Sequence, residues 1–165
     1  MMETGLRVGE CLALKWEDIQ WGRKALRVNK TLIRMAHRKR MEVQSGAKSH
    51  TSNRVIPLST EAIHILEELL QGSKNPDGFI FPDEDGFPIS YEAIRYQIMK
   101  ACRIAGVPYK GQHAFRHTFA TNCYYNGADV KILSKILGHS KVSITYDIYI
   151  HLFGDALEEM RSVID

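Results

Sequence analysis

Residues 25–34, ALRVNKTLIR, alternate apolar and polar side chains in the period-two manner of a half-buried strand. Residues 53–58, NRVIPL, read as a returning strand, with Pro57 tolerable at its end or on an edge. The two bracket a basic turn region, so a β-hairpin is expected in an otherwise helical chain. Before it, Val8 to Leu14 reads as a short helix. After it, Thr60 can cap a helix carrying Ile63, Leu66, Leu69 and Leu70. Ser90 can cap another with Ile94, Ile98, Cys102 and Ala105, stopped by Gly106 and Pro108. The last third divides into Gln112 to Asn126 closed by Gly127, Asp129 to Leu137 closed by Gly138, and a segment from Ser140 to Ile150. A final stretch, 155–164, sets Ala156, Leu157, Met160, Val163 and Ile164 largely on one side, suited to docking on its own core or on a neighbour. The expectation is a mainly helical α+β fold with a small antiparallel sheet carrying the basic hairpin. GSKNPDG and FPDEDGFP are turn-rich loops, and no Ser/Gly linker or repeat divides the chain, so residues 1–165 form one domain.

Composition narrows the classes. With 44% hydrophobic and 25% charged residues, the chain has the balance of a globular domain rather than a disordered or fibrous one. No apolar run approaches the roughly 20 residues of a membrane span, and MMETGLRVGE has neither a basic leader nor a long apolar stretch. Cys11, Cys102 and Cys123 are odd in number and widely spaced, which argues against a disulfide framework. A cytoplasmic protein is expected, with no membrane partner.

The net charge of +3 is unevenly distributed. Residues 21–54 carry ten Lys/Arg against one acid, Glu42, for +9, and the remainder carries twelve against eighteen, for −6. Such a stripe suits a polyanion, because each neutralised phosphate releases counterions and strengthens binding. A solvated hairpin would have the same composition.

Within HAFRH, His113 and Arg116 lie three apart and project from one face of a helical turn. Taken alone, the pair also fits a partly buried histidine beside a surface arginine. The other notable groups are Arg7 in TGLRVGE, Lys48 in GAKSHTSNRVIPL, His139 in ILGHSKVS and Tyr149 in ITYDIYIH. Together, and in this order, these blocks resemble the catalytic domain of the tyrosine recombinase (phage integrase) family over nearly the whole chain. The resemblance implies that Arg7, Lys48, His113, Arg116 and His139 surround a scissile phosphate in DNA. It also implies that Tyr149 is the nucleophile and that Glu10 supports the site. Arg34, Arg38, Lys39, Arg40 and Arg54 are then expected to contact DNA. The partner would be a double-stranded attachment site, bound by a tetramer of the full-length protein, with the isolated domain mostly monomeric. Relatives carry an N-terminal core-binding domain before the first-arginine block, whereas Arg7 stands almost at the start here. An isolated catalytic domain is therefore expected, with exposed apolar surface near Met1 and Met2 and weak DNA binding.

The residue types suit that chemistry. Attack on a phosphodiester adds negative charge to its nonbridging oxygens, and arginine answers it with a permanent charge and a planar fork of donors. Preorganised donors of this kind are worth about 3–4 kcal/mol each, so a pair can replace much of what a metal would supply. No metal or cofactor is expected: there is no HExxH or cysteine cluster, and His113, His117 and Cys123 make a poor zinc set. A tyrosine of pKa about 10 is only about one part in a thousand phenolate at pH 7, a handicap of about 4 kcal/mol that His113 is placed to reduce. In the family's pattern Lys48 is the general acid for the leaving 5′ oxygen, and His139 hydrogen-bonds a nonbridging oxygen. Tyr146, three residues before Tyr149, is expected to be packing, and His117 and His151 to make helix-end hydrogen bonds or to pack locally; Trp16 and Trp21 are expected to anchor core or loop. Three classes of function compete: a recombinase, a noncatalytic DNA-binding relative, and a relaxing enzyme of the type IB topoisomerase kind. The complete set of polar groups argues against the second. Exchange between two labelled substrates separates the first from the third.

Overall fold

The computed structural model describes residues 1–34, 41–45, 53–150 and 161, the side chains of 45 and 147–150 excepted. The elements run α1 (Val8–Leu12), β1 (Ile19–Gln20), β2 (Ala25–Val28), β3 (Lys30–Arg34), β4 (Met41–Ser45), β5 (Arg54–Pro57), α2 (Thr60–Gln71), α3 (Tyr91–Ile104), α4 (His113–Tyr125), α5 (Val130–Leu137) and α6 (Val142–Ile150). The architecture is the expected mainly helical α+β one.

The alternating run 25–34 is not one strand. It breaks at Asn29, and its halves join different antiparallel sheets. β2 lies between β1 and β5, with Leu26 opposite Ile19 on one side and Ile56 on the other. β3 pairs with β4, Leu32 opposite Val43. Each half buries its own apolar residues: Leu26 and Val28 join the main core, while Leu32 packs with Leu12 and Ala13 at the end of α1.

Helix boundaries follow their capping chemistry. Ser59, not Thr60, caps α2, its hydroxyl accepting from the Ala62 amide at 3.1 Å. Ser90 caps α3 in the same way through Ala93 at 3.1 Å. Asp129 caps α5 by accepting from Lys131 and Ile132, and Gly138 ends that helix in the left-handed conformation, φ +67°. The main core joins Leu6, Leu14, Trp16, Ile19, Leu26, Val28, Ile56, Leu58 and Ile80 with the α2 residues Ala62 and Ile63, and a second cluster unites α4 and α5 through Ala120, Leu133 and Leu137. Trp16 is buried and Trp21 packs against the same core, as expected of anchors.

Gly5 joins these two clusters at close quarters. It has φ +62°, and a Cβ there would lie 2.5 Å from Phe119 Cδ1 and 2.9 Å from Leu137 Cδ2. Only glycine lets the N-terminal segment approach the α4–α5 pair this closely. Met2 is exposed, and Met1 and Met2 line an apolar hollow of about 310 Å³ with Val8, Cys11, Ile94, Ile98 and Phe115. Among the described residues no helix is long and apolar enough to cross a membrane. Of the final stretch 155–164 only residue 161 is described, and Ala156, Leu157, Met160, Val163 and Ile164 lie outside the described residues.

Candidate active site

The site is organised by one helix end. An α-helix leaves its last carbonyls without intrahelical donors, and they form the negative end of its dipole. At the end of α5 two of these are satisfied by backbone: the Gly138 amide donates to Lys135 O at 3.0 Å and the His139 amide to Ser134 O at 3.1 Å. The next three each receive a guanidinium from a different part of the chain. Arg54 Nε donates to Ile136 O at 2.6 Å, Arg116 Nη2 to Leu137 O at 2.6 Å, and Arg7 Nη2 to Gly138 O at 2.9 Å. His139 follows directly. Residues separated by up to 131 positions thus converge on four consecutive residues.

Arg116 is buried and also donates through Nη1 to Gly5 O at 2.7 Å, so the left-handed glycine and the arginine position each other. Burial first, then the nearby Arg7, pushes its pKa down to about 10, which leaves it charged at neutrality. Arg7 is the most open of the three, with its side chain 40% exposed. Its Nη1 donates to Glu10 Oε1 at 2.9 Å and its backbone amide to Glu10 Oε2 at 2.9 Å, which closes the first turn of α1. Of the five N–H donors in each guanidinium, Arg7 and Arg116 spend two on the described protein atoms.

Arg54 corrects an expectation. The basic stripe, read with the family resemblance, predicts a DNA contact for it, but its side chain is 7% exposed and grips Glu10 in a two-pronged bridge, Nη1 to Oε1 at 3.0 Å and Nη2 to Oε2 at 2.8 Å. With Nε on Ile136 O, all three of its nitrogens are engaged inside the protein and three of its five N–H donors are spent there, one more than in Arg7 or Arg116. The period of β5 carried the signal: Ile56, two residues on, is fully buried, so Arg54 shares the inward face while Val55 points outward. Burial alone would raise the Glu10 carboxyl, but the Arg54 hydrogen bonds and charge, with Arg7, outweigh it and hold the pKa below its ordinary 4.5. Three arginines and one carboxylate leave a net +2 around this helix end.

His139 is partly exposed, and its Nδ1 lies 2.8 Å from Thr145 Oγ1 in α6. Burial, then Arg116, Arg7 and Arg54 in turn, lower its pKa to about 4, so the ring is neutral at pH 7. Thr145 is fully buried and escaped the sequence reading; its place one helical turn before Tyr149 was the available clue. His113 opens α4, exposed and one turn before Arg116, and lines an open groove with Lys110, His117, Thr118 and Asn122. His117 is exposed, so of its two expected roles local packing is not met. Tyr146 is 47% exposed, again not packing. The backbone of Tyr149 lies in α6, four residues after Thr145, and its side chain is outside the described set. Lys48, Arg38, Lys39, Arg40 and His151 lie outside the described residues. Arg34 is exposed at the end of β3, 3.4 Å from Glu92, an ion pair of the kind worth little. Elsewhere in the stripe, Lys30 Nζ is consumed by Asp18 at 2.9 Å and Glu17 at 3.1 Å.

Among the described residues no three His, Cys, Asp or Glu side chains gather as a metal set. What the arrangement offers is an anion site: fixed guanidinium forks, held by backbone oxygens in advance, beside a neutral imidazole.

Residues 1–155 match the model of the phage integrase family. The chain is 35% identical over 168 residues to a tyrosine recombinase XerC-like protein of Caldanaerobacter subterraneus subsp. tengcongensis, covering 90% of this chain and 43% of that one. It is 31% identical to tyrosine recombinase XerD of Proteus mirabilis, covering 95% of this chain and 47% of that one. Among solved structures it is similar to the Tn1549 transposon integrase in complex with circular intermediate DNA, with TM-score 0.79, 25% identity, and 98% of this chain against 57% of that one. The XerA recombinase gives TM-score 0.73 at 27% identity, with 98% of this chain against 52% of that one. The chain spans about half the length of these relatives, 43% and 47% of the two recombinases. By the family model, by these identities and by the fold, the chain belongs to the phage integrase family of tyrosine recombinases.

Proposed function

We propose that this chain is the catalytic domain of a site-specific DNA recombinase that cleaves and rejoins strands through a 3′-phosphotyrosine, without metal or ATP, to integrate or excise a mobile element. The observation that carries the reading is the convergence of Arg7, Arg116 and His139 on the end of α5, buttressed by Arg54 and Glu10. In this reading the N–H donors that Arg7 and Arg116 do not spend on the protein hold the nonbridging oxygens of the scissile phosphate. Their carbonyl partners fix them beforehand, so little reorganisation is needed as charge builds in the pentacoordinate state. Neutral His139 supplies a further hydrogen bond rather than a further charge.

Tyr149 attacks phosphorus and displaces the 5′ oxygen. His113 takes the phenol proton, and Lys48 gives a proton to the leaving oxygen. One P–O bond is made as another breaks, so the phosphotyrosine conserves the energy of the strand and a 5′-hydroxyl can reverse the step. The partner is a double-stranded attachment site; the cytoplasm and a tetramer of the full-length protein on DNA follow from the same reading.

A nicked attachment-site duplex, from which the short fragment carrying the freed 5′-hydroxyl diffuses away, tests it. The native chain should trap a covalent protein–DNA adduct in EDTA, and Tyr149→Phe should trap none. Loss of the native adduct in EDTA would reject the metal-free step, and an adduct retained in Tyr149→Phe would reject the nucleophile. Joining of two differently labelled duplexes separates recombination from relaxation.

A further inference from the structure

The 2.8 Å contact between His139 Nδ1 and Thr145 Oγ1 decides more than a distance. Thr145 is fully buried, and His139 Nδ1 is the partner of its hydroxyl among the described residues. The proton of a buried hydroxyl needs an acceptor, and a neutral imidazole offers one through its unprotonated nitrogen. The threonine therefore donates, Nδ1 accepts, and the ring proton resides on Nε2. The opposite arrangement, with Nδ1–H donating, would leave the hydroxyl proton buried without an acceptor among the described residues and turn the Nε2 lone pair outward. An imidazole of that form would repel a phosphate oxygen.

The same hydrogen bond has a mechanical consequence. Thr145 belongs to α6 and lies one helical turn before Tyr149, so residues 145 and 149 share a face of that helix. His139 belongs to the end of α5, where the three arginines are anchored. The bond thus ties the helix bearing the tyrosine to the anion site.

We propose that Thr145 is a positioning residue: its hydroxyl fixes His139 in the tautomer whose Nε2–H donates to the anion, and by the same bond it holds α6 in register with the arginine group. The low pKa of His139 agrees with this, since only a neutral ring has a tautomer to select. The proposal rests on the functional reading above, in which that anion is the scissile phosphate.

Two measurements on the 165-residue chain test it. Nitrogen-15 NMR of the imidazoles reports which ring nitrogen of His139 carries the proton, independently of any activity. The native chain and Thr145→Ser should show protonated Nε2, and Thr145→Val, which keeps the shape and removes the donor, should lose that preference. The second is the rate of adduct formation on the nicked duplex. Thr145→Val should slow it about tenfold to a hundredfold, the range found when the group orienting a metal-ligating histidine is removed. Thr145→Ser should restore it to within a few-fold, and in a His139→Ala background the valine should cost less than about twofold more. A native His139 protonated on Nδ1, or an equal loss from Thr145→Val with and without His139, would overturn the proposal. If the native chain forms no adduct but shows the Nε2–H form, the functional reading fails and the tautomer assignment stands.

Discussion

Replacing Arg54 by alanine separates two accounts of the basic stripe. If Arg54 reads a DNA backbone, its loss lowers the salt dependence of DNA binding by about one counterion and leaves stability unchanged. The structure gives the opposite expectation. Arg54 and Glu10 are 7% and 6% exposed, and the arginine also holds Ile136 O at 2.6 Å. Removing one partner of a buried pair strands the other charge and costs about 3–5 kcal/mol. Glu10 keeps two hydrogen bonds from Arg7, which places the loss toward the lower end. At about 2–4 °C per kcal/mol for a chain of this size, a loss near 3 kcal/mol lowers Tm by about 6–12 °C. The acid side moves too. A carboxyl held below 4.5 contributes stability above that value and loses it as pH falls through its folded pKa. Without Arg54, burial is less opposed, the Glu10 pKa rises, and acid unfolding begins at a higher pH. Thermal and urea denaturation at pH 7 and pH 4, with DNA binding measured across salt at a temperature where both forms are folded, reads every arm. Stability within about 0.5 kcal/mol of the native chain, together with a salt slope reduced by one, would refute the buried-buttress assignment.

Three further outcomes follow from the same geometry. Gly5→Ala combines a left-handed φ of +62° with a contact 2.5 Å from Phe119 Cδ1, so urea denaturation should show a loss of about 2–4 kcal/mol; a loss under 1 kcal/mol would contradict the close approach. Arg116→Lys keeps the charge but cannot span Gly5 O and Leu137 O, and adduct formation should fall at least about a hundredfold; near-native rates would show that the fork is dispensable. His139, lowered to about 4 by burial and then the arginines, should stay neutral in an NMR titration down to about pH 5 and give activity no limb near its ordinary 6.5; because the unfolded ring binds its proton first, stability should decline as pH drops from about 6.5 toward 4. A midpoint near 6.5 would show that the ring lies outside the arginine field.

The helices were legible where local chemistry ends them. Ser90, Asp129, Gly127 and Gly138 mark boundaries because a cap acts within a few residues. Pairing between strands was not legible in the same way. The alternation over 25–34 reports which faces are buried but not which strand each half meets, so the break at Asn29 between two sheets was hidden. Likewise the charge stripe counts cations without saying where each head group goes: Lys30 and Arg54 are neutralised inside the fold, while Arg34 stays at the surface. For Arg54 the inward period of β5 outweighs the composition of its neighbourhood. Arg7, Arg116 and His139 could be named as candidates from their blocks, but the device that gathers them, three unused carbonyls at the end of α5, depends on approaches across up to 131 residues.

Whether this arginine-lined helix end serves one tyrosine is decided by locating the bond to DNA. After trapping on a nicked duplex and digestion with protease and nuclease, mass spectrometry of the nucleotide-bearing peptide should place a 3′-phosphoryl group on Tyr149. Attachment at the exposed Tyr146, at any other residue, or through a noncovalent link that denaturant releases, would contradict it.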